Sequence, residues 1–278
     1  MRRWLIAFAC FFFSSFPVAA DNWLKALMLF DAGRYKEAIE LLTPLAQDGN
    51  LEAQEILYST YIHGYGVPVD RAKAFGWLQR GAEQGSARAQ EAVGRHYLYG
   101  NGVLADEVQA AHWFRLAAQQ GHPAAIYNLG VMTMHGQGVE ADQEEAWRLI
   151  TRAAELDDPD ALYVMGGVSL ENAAKTGDVD TGLGYLSRAA ELGQRRASAL
   201  LGLLLEDFPE VPHHLVKSAF HYQMALAAGC DDISDAAARA VARLSPDERE
   251  ALDYNLALWA PDTDPRDAKP APGPCLNE

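Results

Sequence analysis

The 278-residue chain carries a formal net charge of −15, a balance that disfavours DNA, RNA and anionic lipid head groups as partners and favours basic or neutral ones. Its length allows one or two ordinary domains, or a series of smaller repeated units sharing a continuous core. After the first 20 residues no apolar stretch is long enough to span a bilayer.

Those first 20 residues form a segment of their own. Arg2 and Arg3 precede an apolar run from Trp4 to Phe13, and Val18-Ala19-Ala20 supplies the small residues of a secretory cleavage site. The run, even extended to Phe16, is shorter than the roughly 20 residues of a membrane span, so cleavage after Ala20 is the expected fate. The mature chain is then exported, periplasmic or secreted, without a stable membrane anchor, and the loss of two arginines takes its net charge to −17. Cys230 and Cys275 remain. An oxidising compartment allows them to pair, with free or intermolecular thiols as open alternatives.

Residues 21–52 predict a short helix-turn-helix unit: an apolar-periodic helix from Trp23 to Ala32, a break at Gly33, and a second helix from Tyr35 to Gln47. Ala38, Leu41 and Ala46 stand 36 residues before Ala74, Trp77 and Ala82. The unit is therefore in register with the chain beyond residue 53 and reads as an amino-terminal cap.

From 53 to 160 one phrase recurs three times: Gly64-Tyr65-Gly66-Val67 with Asp70, Gly100-Asn101-Gly102-Val103 with Asp106, and Gly136-Gln137-Gly138-Val139 with Asp142. The period is 36 residues, the signature of stacked helix pairs that cannot bury their apolar faces alone. In each pair the first helix carries Leu57, Val93 or Leu129 on its buried stripe, with Gly94 or Gly130 beside it for close approach. It stops at the Gly-x-Gly, because glycine accepts the left-handed conformation needed to leave a helix. The aspartate caps the second helix, and Gln109 and Glu145, three residues on, predict capping boxes. That helix buries Phe75 with Trp77, Trp113 with Phe114, and Trp147 with Leu149, and closes on the small pairs Gly81-Ala82, Ala117-Ala118 and Ala153-Ala154.

Residues 161–232 hold two degenerate copies. Asn172-Ala173-Ala174 replaces the first Gly-x-Gly, and Phe208-Pro209 to His213-His214 fills the second loop, where irregular backbone is expected. Residues 233–259 predict capping helices, the last opening at Ser245-Pro246-Asp247-Glu248, a capping box with proline at the first helical position. Residues 260–278, rich in proline and charge, predict a disordered tail.

These phrases resemble the Sel1-like repeat, a longer-looped relative of the tetratricopeptide repeat, strongly over residues 53–160 and more weakly to 232. The resemblance implies an all-α fold, a right-handed α-solenoid of stacked helix-turn-helix units. It also implies an adaptor role in signalling, envelope assembly or exopolysaccharide control, in an exported bacterial protein.

The candidate chemistry is sparse. The Gly-x-Gly phrases lack the strand and lysine of a phosphate loop, and each opens onto an aspartate that repels phosphate. His63 and His135 lie two repeats apart, with Tyr99 between them in the same row, too distant to share a metal. His213, His214 and His221 lie near Glu206, Asp207 and Glu210, but match no established ligand spacing. The twin carboxylates Asp157-Asp158 and Asp231-Asp232 fall in turns, and no glycine-flanked nucleophile appears. No metal, cofactor or catalytic residue is therefore expected.

The residues expected to point outward from the first helices are His63, Tyr65, Glu91, Tyr99, Tyr127 and His135, a row on the concave face where repeat proteins bind. The expected function is a non-enzymatic scaffold for a basic or aromatic protein or peptide partner. The alternative is a cell-wall-fragment or β-lactam-binding or hydrolysing protein. It is weakened because the relatives linked to such ligands carry a cysteine pair in each repeat.

Overall fold

The computed structural model describes residues 16–206, 213–259 and 275. Most of the expected leader, most of the tail and positions 207–212 of the fifth loop lie outside them. Among the described residues there is no strand; the fold is all-α and divides into two compact units, residues 1–146 and 147–278.

Unit 1 contains α1 (Phe16–Asp31), α2 (Tyr35–Gln47), α3 (Leu51–His63), α4 (Arg71–Glu83), α5 (Ala87–Tyr99), α6 (Glu107–Gln119) and α7 (Pro123–His135); α8 (Gln143–Glu155) straddles the boundary. Helix α1 begins inside the expected leader and α2 keeps its expected bounds. Each helix from α1 to α7 packs on the next, as a stack of pairs requires. Seven-residue loops close each full pair and three-residue turns lead to the next.

The two glycines of each long loop have different functions. Gly64, Gly100 and Gly136 are left-handed, at φ 77°, 68° and 69°, and their amides donate to Thr60, His96 and Met132, ending the first helix as expected. Gly66, Gly102 and Gly138 are left-handed too, but they also touch the previous pair. A Cβ at these positions would stand 2.6 Å from Tyr35 Cβ, 2.3 Å from the Arg71 carbonyl oxygen and 2.2 Å from that of Glu107. Each contacted residue opens a second helix. The loop is thus the surface by which one repeat seats on its neighbour.

The aspartates cap as predicted, Asp70, Asp106 and Asp142 accepting from the amides of Lys73, Gln109 and Glu145 at 2.9, 3.0 and 3.0 Å. The reciprocal half of the capping box is replaced. The aspartate amides donate to the carbonyls of Tyr61, Tyr97 and Thr133, so the group that Gln109 and Glu145 would serve is already satisfied by the first helix.

Of the expected core, Phe75, Trp77, Phe114 and Leu149 are buried, and Trp113 and Trp147 are the corrections. Successive second helices each bury a large side chain at one register position, Leu78, Phe114, Ile150, Leu186 and Tyr222. Trp77 is buried, Trp113 is half-buried against Phe75, Leu78 and Val93, and Trp147 is 38% exposed. Trp147 stands 36 residues after Ala111 and 72 after Phe75, both buried, and Leu149, also buried, takes the place 36 after Trp113. Facing the buried row, glycines make room as expected: a Cβ at Gly94 would stand 2.7 Å from the Phe114 ring.

A polar clasp spans the first two junctions. Gln54 donates to the Ala46 carbonyl and accepts from Gln84; Gln90 donates to Ala82 and accepts from Gln120. One repeat further, both partners change together, to Ile126 and Leu156, and then to Leu162 and Leu192. A buried amide without its partner would lose more than an apolar pair does, which accounts for the joint replacement.

Unit 2 contains α9 (Pro159–Thr176), α10 (Asp180–Glu191), α11 (Arg195–Glu206), α12 (His214–Ala227), a 3-10 turn (Asp231–Ile233), α13 (Ser234–Ala242) and α14 (Pro246–Trp259). Helix α9 runs through Asn172-Ala173-Ala174 and ends at the left-handed Gly177, the altered turn that the missing Gly-x-Gly predicts. In this unit a Cβ at Gly166 would stand 2.8 Å from Leu186, and one at Gly202 2.6 Å from Tyr222. The fully buried Tyr222 donates its hydroxyl to Glu206, which also accepts from Arg243. Ser245 and Glu248 form the expected capping box, each side chain accepting from the other residue's amide. Cys230 and Cys275 are joined in a disulfide, and the Cys275 amide donates to Asp232 at 2.9 Å.

Candidate binding face

His63, Tyr99 and His135 are the last residues of α3, α5 and α7, and all three are exposed, Tyr99 at 66%. Their regularity follows from the left-handed glycine after each, which fixes where every first helix stops. Tyr65 behaves differently from the rest of the row. Its ring stacks on Tyr35 at 5.3 Å, meets Phe30 edge-on at 5.9 Å, and lies 5.4 Å from His63. It is half-buried and ties the first loop to the cap unit.

Glu91 is only 7% exposed and pairs with Arg95 at 3.0 Å. Burial pushes its carboxyl pKa above the ordinary range, against the pull of Arg95 and Arg88. The outward group at this place is therefore the Arg95 guanidinium, with Glu91 beneath it. Tyr127, one period after Glu91, is half-buried. The structure brings Arg88 and Arg95 close to both Glu91 and His122.

His96 escapes the sequence reading. It is buried, with Nδ1 hydrogen-bonded to the Asn101 carbonyl and Nε2 3.0 Å from the Tyr58 hydroxyl. A carbonyl only accepts, so Nδ1 carries the proton, Nε2 accepts, and Tyr58 donates. Tyr58 and His96 lie 38 residues apart, so the bond joins two successive repeats. The available signal is positional: a tyrosine at 58, where the next two repeats have Gly94 and Gly130, and a histidine at 96, where the repeats before and after have Thr60 and Met132.

Burial lowers the pKa of His96, and of His122, where Arg88 and Arg95 add to the effect. Such a histidine binds its proton less readily folded than unfolded. Stability is therefore full above the ordinary value of 6.5 and is lost as pH falls below it. Thermal melts from neutral to mildly acid pH are expected to show that loss, and His96→Met is expected to reduce it. Equal pH dependence in the variant would remove His96 as a source.

Glu91 is paired with Arg95 and His96 with Tyr58, while His122 Nδ1 is buried without a hydrogen-bond partner; among the described residues no three His, Cys, Asp or Glu side chains are gathered as a metal site. Glu206, near which His213, His214 and His221 fall in the sequence, is engaged by Tyr222 and Arg243. Among the described residues no helix is long and apolar enough to cross a membrane.

The family model described as the Sel1 repeat matches residues 56–86, 87–122, 123–158 and 159–194. It includes the fourth, degenerate copy and leaves the fifth outside. No curated protein matches the chain. Among solved structures, the Sel1 repeat protein from Oxalobacter formigenes is 28% identical, covering 85% of this chain and 99% of its own, with a TM-score of 0.62. An immunity protein from Pseudomonas aeruginosa, 20% identical over 76% of this chain and 82% of that one, shares the fold at a TM-score of 0.50. A protective antigen of uropathogenic Escherichia coli displaying the SLR fold is 23% identical over 80% of this chain and 56% of its own, with a TM-score of 0.46.

Proposed function

Because the chain belongs to the Sel1 repeat family, whose members mediate protein–protein interaction, we propose that it is a non-enzymatic binding scaffold acting outside the cytoplasm. The binding row is His63, Tyr99, Tyr127 and His135, with Tyr65 at its edge and Arg95 held over Glu91. The observation that carries this reading is the exposed ring at the end of three successive first helices, each fixed by the glycine after it. Side chains already held on rigid helices give up less freedom on binding, so several weak contacts act together. The partner is a protein or peptide segment with aromatic groups to stack on the row and basic groups to meet a chain of net charge −15. The arginine pair near the amino terminus and the small residues before Asp21 support export by a cleaved leader. Envelope assembly, signalling or exopolysaccharide control is the setting that such a location suits.

The test is capture of partners from an envelope fraction by crosslinking. Tyr99→Ala with Tyr127→Ala is expected to lose the captured protein while circular dichroism stays helical. Undiminished capture would place the site elsewhere.

A further inference from the structure

One position of the second helices changes character in the fifth copy. The position held by Trp77, Trp113, Leu149 and Tyr185 in successive second helices is His221 in the fifth. On α10, Gly184 contributes no side chain, and a Cβ there would meet nothing within 4 Å. A cavity of about 620 Å³ is open at this point, its apolar wall made by Leu183, Leu205, Phe220, Met224 and Trp259. Trp259 meets Phe220 edge-on at 6.2 Å. That volume falls within the range of about 300–1,000 Å³ typical of ligand clefts. Asp180, Glu191 and Lys217 also line the cavity, and Glu191 is paired with Arg188 at 3.2 Å, which leaves Asp180 as the lining carboxylate open to a basic group beside the chain's overall negative charge. His221 Nδ1 is buried without a hydrogen-bond partner. Burial and Lys217, opposed by Glu191, lower the pKa of His221 to about 4, so the imidazole is neutral at physiological pH.

The occupant's chemistry is set by groups the chain itself does not supply. Residues 260–274, which link Trp259 to the disulfide-bonded Cys275, contain no Leu, Ile, Val, Met or aromatic residue to fill an apolar space. A second copy would bring another net charge of −15 against the same acidic surface. We propose that this groove docks an aromatic side chain carried on a basic peptide segment of a partner protein, the ring taking the place that Trp77 and Trp113 fill in their own repeats. This rests on the scaffold reading above and adds a second site to it, in the other unit.

The experiment titrates the ¹⁵N-labelled full chain with the capped tetrapeptide RWLR and its acidic counterpart EWLE. The basic peptide is expected to shift the Trp259 indole signal and the Gly184 and Phe220 amides saturably, with EWLE at least about tenfold weaker. His221→Trp restores the repeat's own aromatic residue, and Gly184→Leu fills the groove from α10. Each is expected to weaken RWLR by at least about tenfold with the helical spectrum retained. Equal affinity for the two peptides, or undiminished binding in both variants, would overturn the proposal. So would the lack of any saturable shift in the unaltered chain, which would leave the groove to residues 260–274 or to a second copy. The two readings separate cleanly. Loss of capture in the Tyr99 and Tyr127 variant without groove shifts sinks only the groove; groove shifts with capture unaffected by that variant sink only the row in unit 1.

Discussion

Phe114→Ala is expected to lower the stability of unit 1 by about 3–5 kcal/mol, the cost of truncating a fully buried aromatic side chain. Phe114 has no exposed surface, and its ring lies against Gly94, where no side chain stands between it and the backbone of α5. Helix backbone cannot collapse into the space left behind, so most of the cavity persists and the upper part of the range applies. Trp113→Ala, one residue away, is expected to cost less despite the larger ring, because half-burial leaves part of it in water before and after. Urea unfolding followed by helical circular dichroism measures both. If Trp113→Ala proves the more damaging, the assignment of the buried row is wrong. A loss of about 3–5 kcal/mol would be a large share of the roughly 5–15 kcal/mol that holds a domain folded.

Gly138→Val is expected to be of similar severity, for a different reason. A side chain in the left-handed region costs about 1–2 kcal/mol. Packing atoms into occupied space adds about 1–3 kcal/mol, and the occupied space here is the Glu107 carbonyl, which cannot swing away. Two controls separate these contributions. Gly121 is left-handed with nothing within 4 Å of a Cβ, so Gly121→Val reports the backbone cost alone. Gly136 has Ala141 Cβ at 3.2 Å, a tight but side-chain contact, so Gly136→Val falls between them. Equal losses at all three positions, measured as shifts in the urea midpoint, would show that the second glycine does not seat one repeat on the next.

What the sequence determined alone was the repeat itself. Period, left-handed exits at Gly64, Gly100 and Gly136, and the aspartate caps all follow from interactions within a few residues of chain, which local chemistry dictates. The exposure of His63, Tyr99 and His135 was legible for the same reason, since the place where a helix stops fixes which of its residues comes last, whereas Glu91 is buried and Tyr65 and Tyr127 are half-buried. Tertiary structure decided everything that depends on a neighbouring repeat. It gave the aspartate amides to Tyr61, Tyr97 and Thr133, set the second glycines against Tyr35, Arg71 and Glu107, and buried Glu91 beneath Arg95. It joined Tyr58 to His96, closed the disulfide between Cys230 and Cys275, and opened the space beside His221. The physical reason is distance along the chain. Partners from separate helix pairs share no local propensity, and only the stacking of one pair on the next brings their atoms within reach of a hydrogen bond, a clash or a ligand.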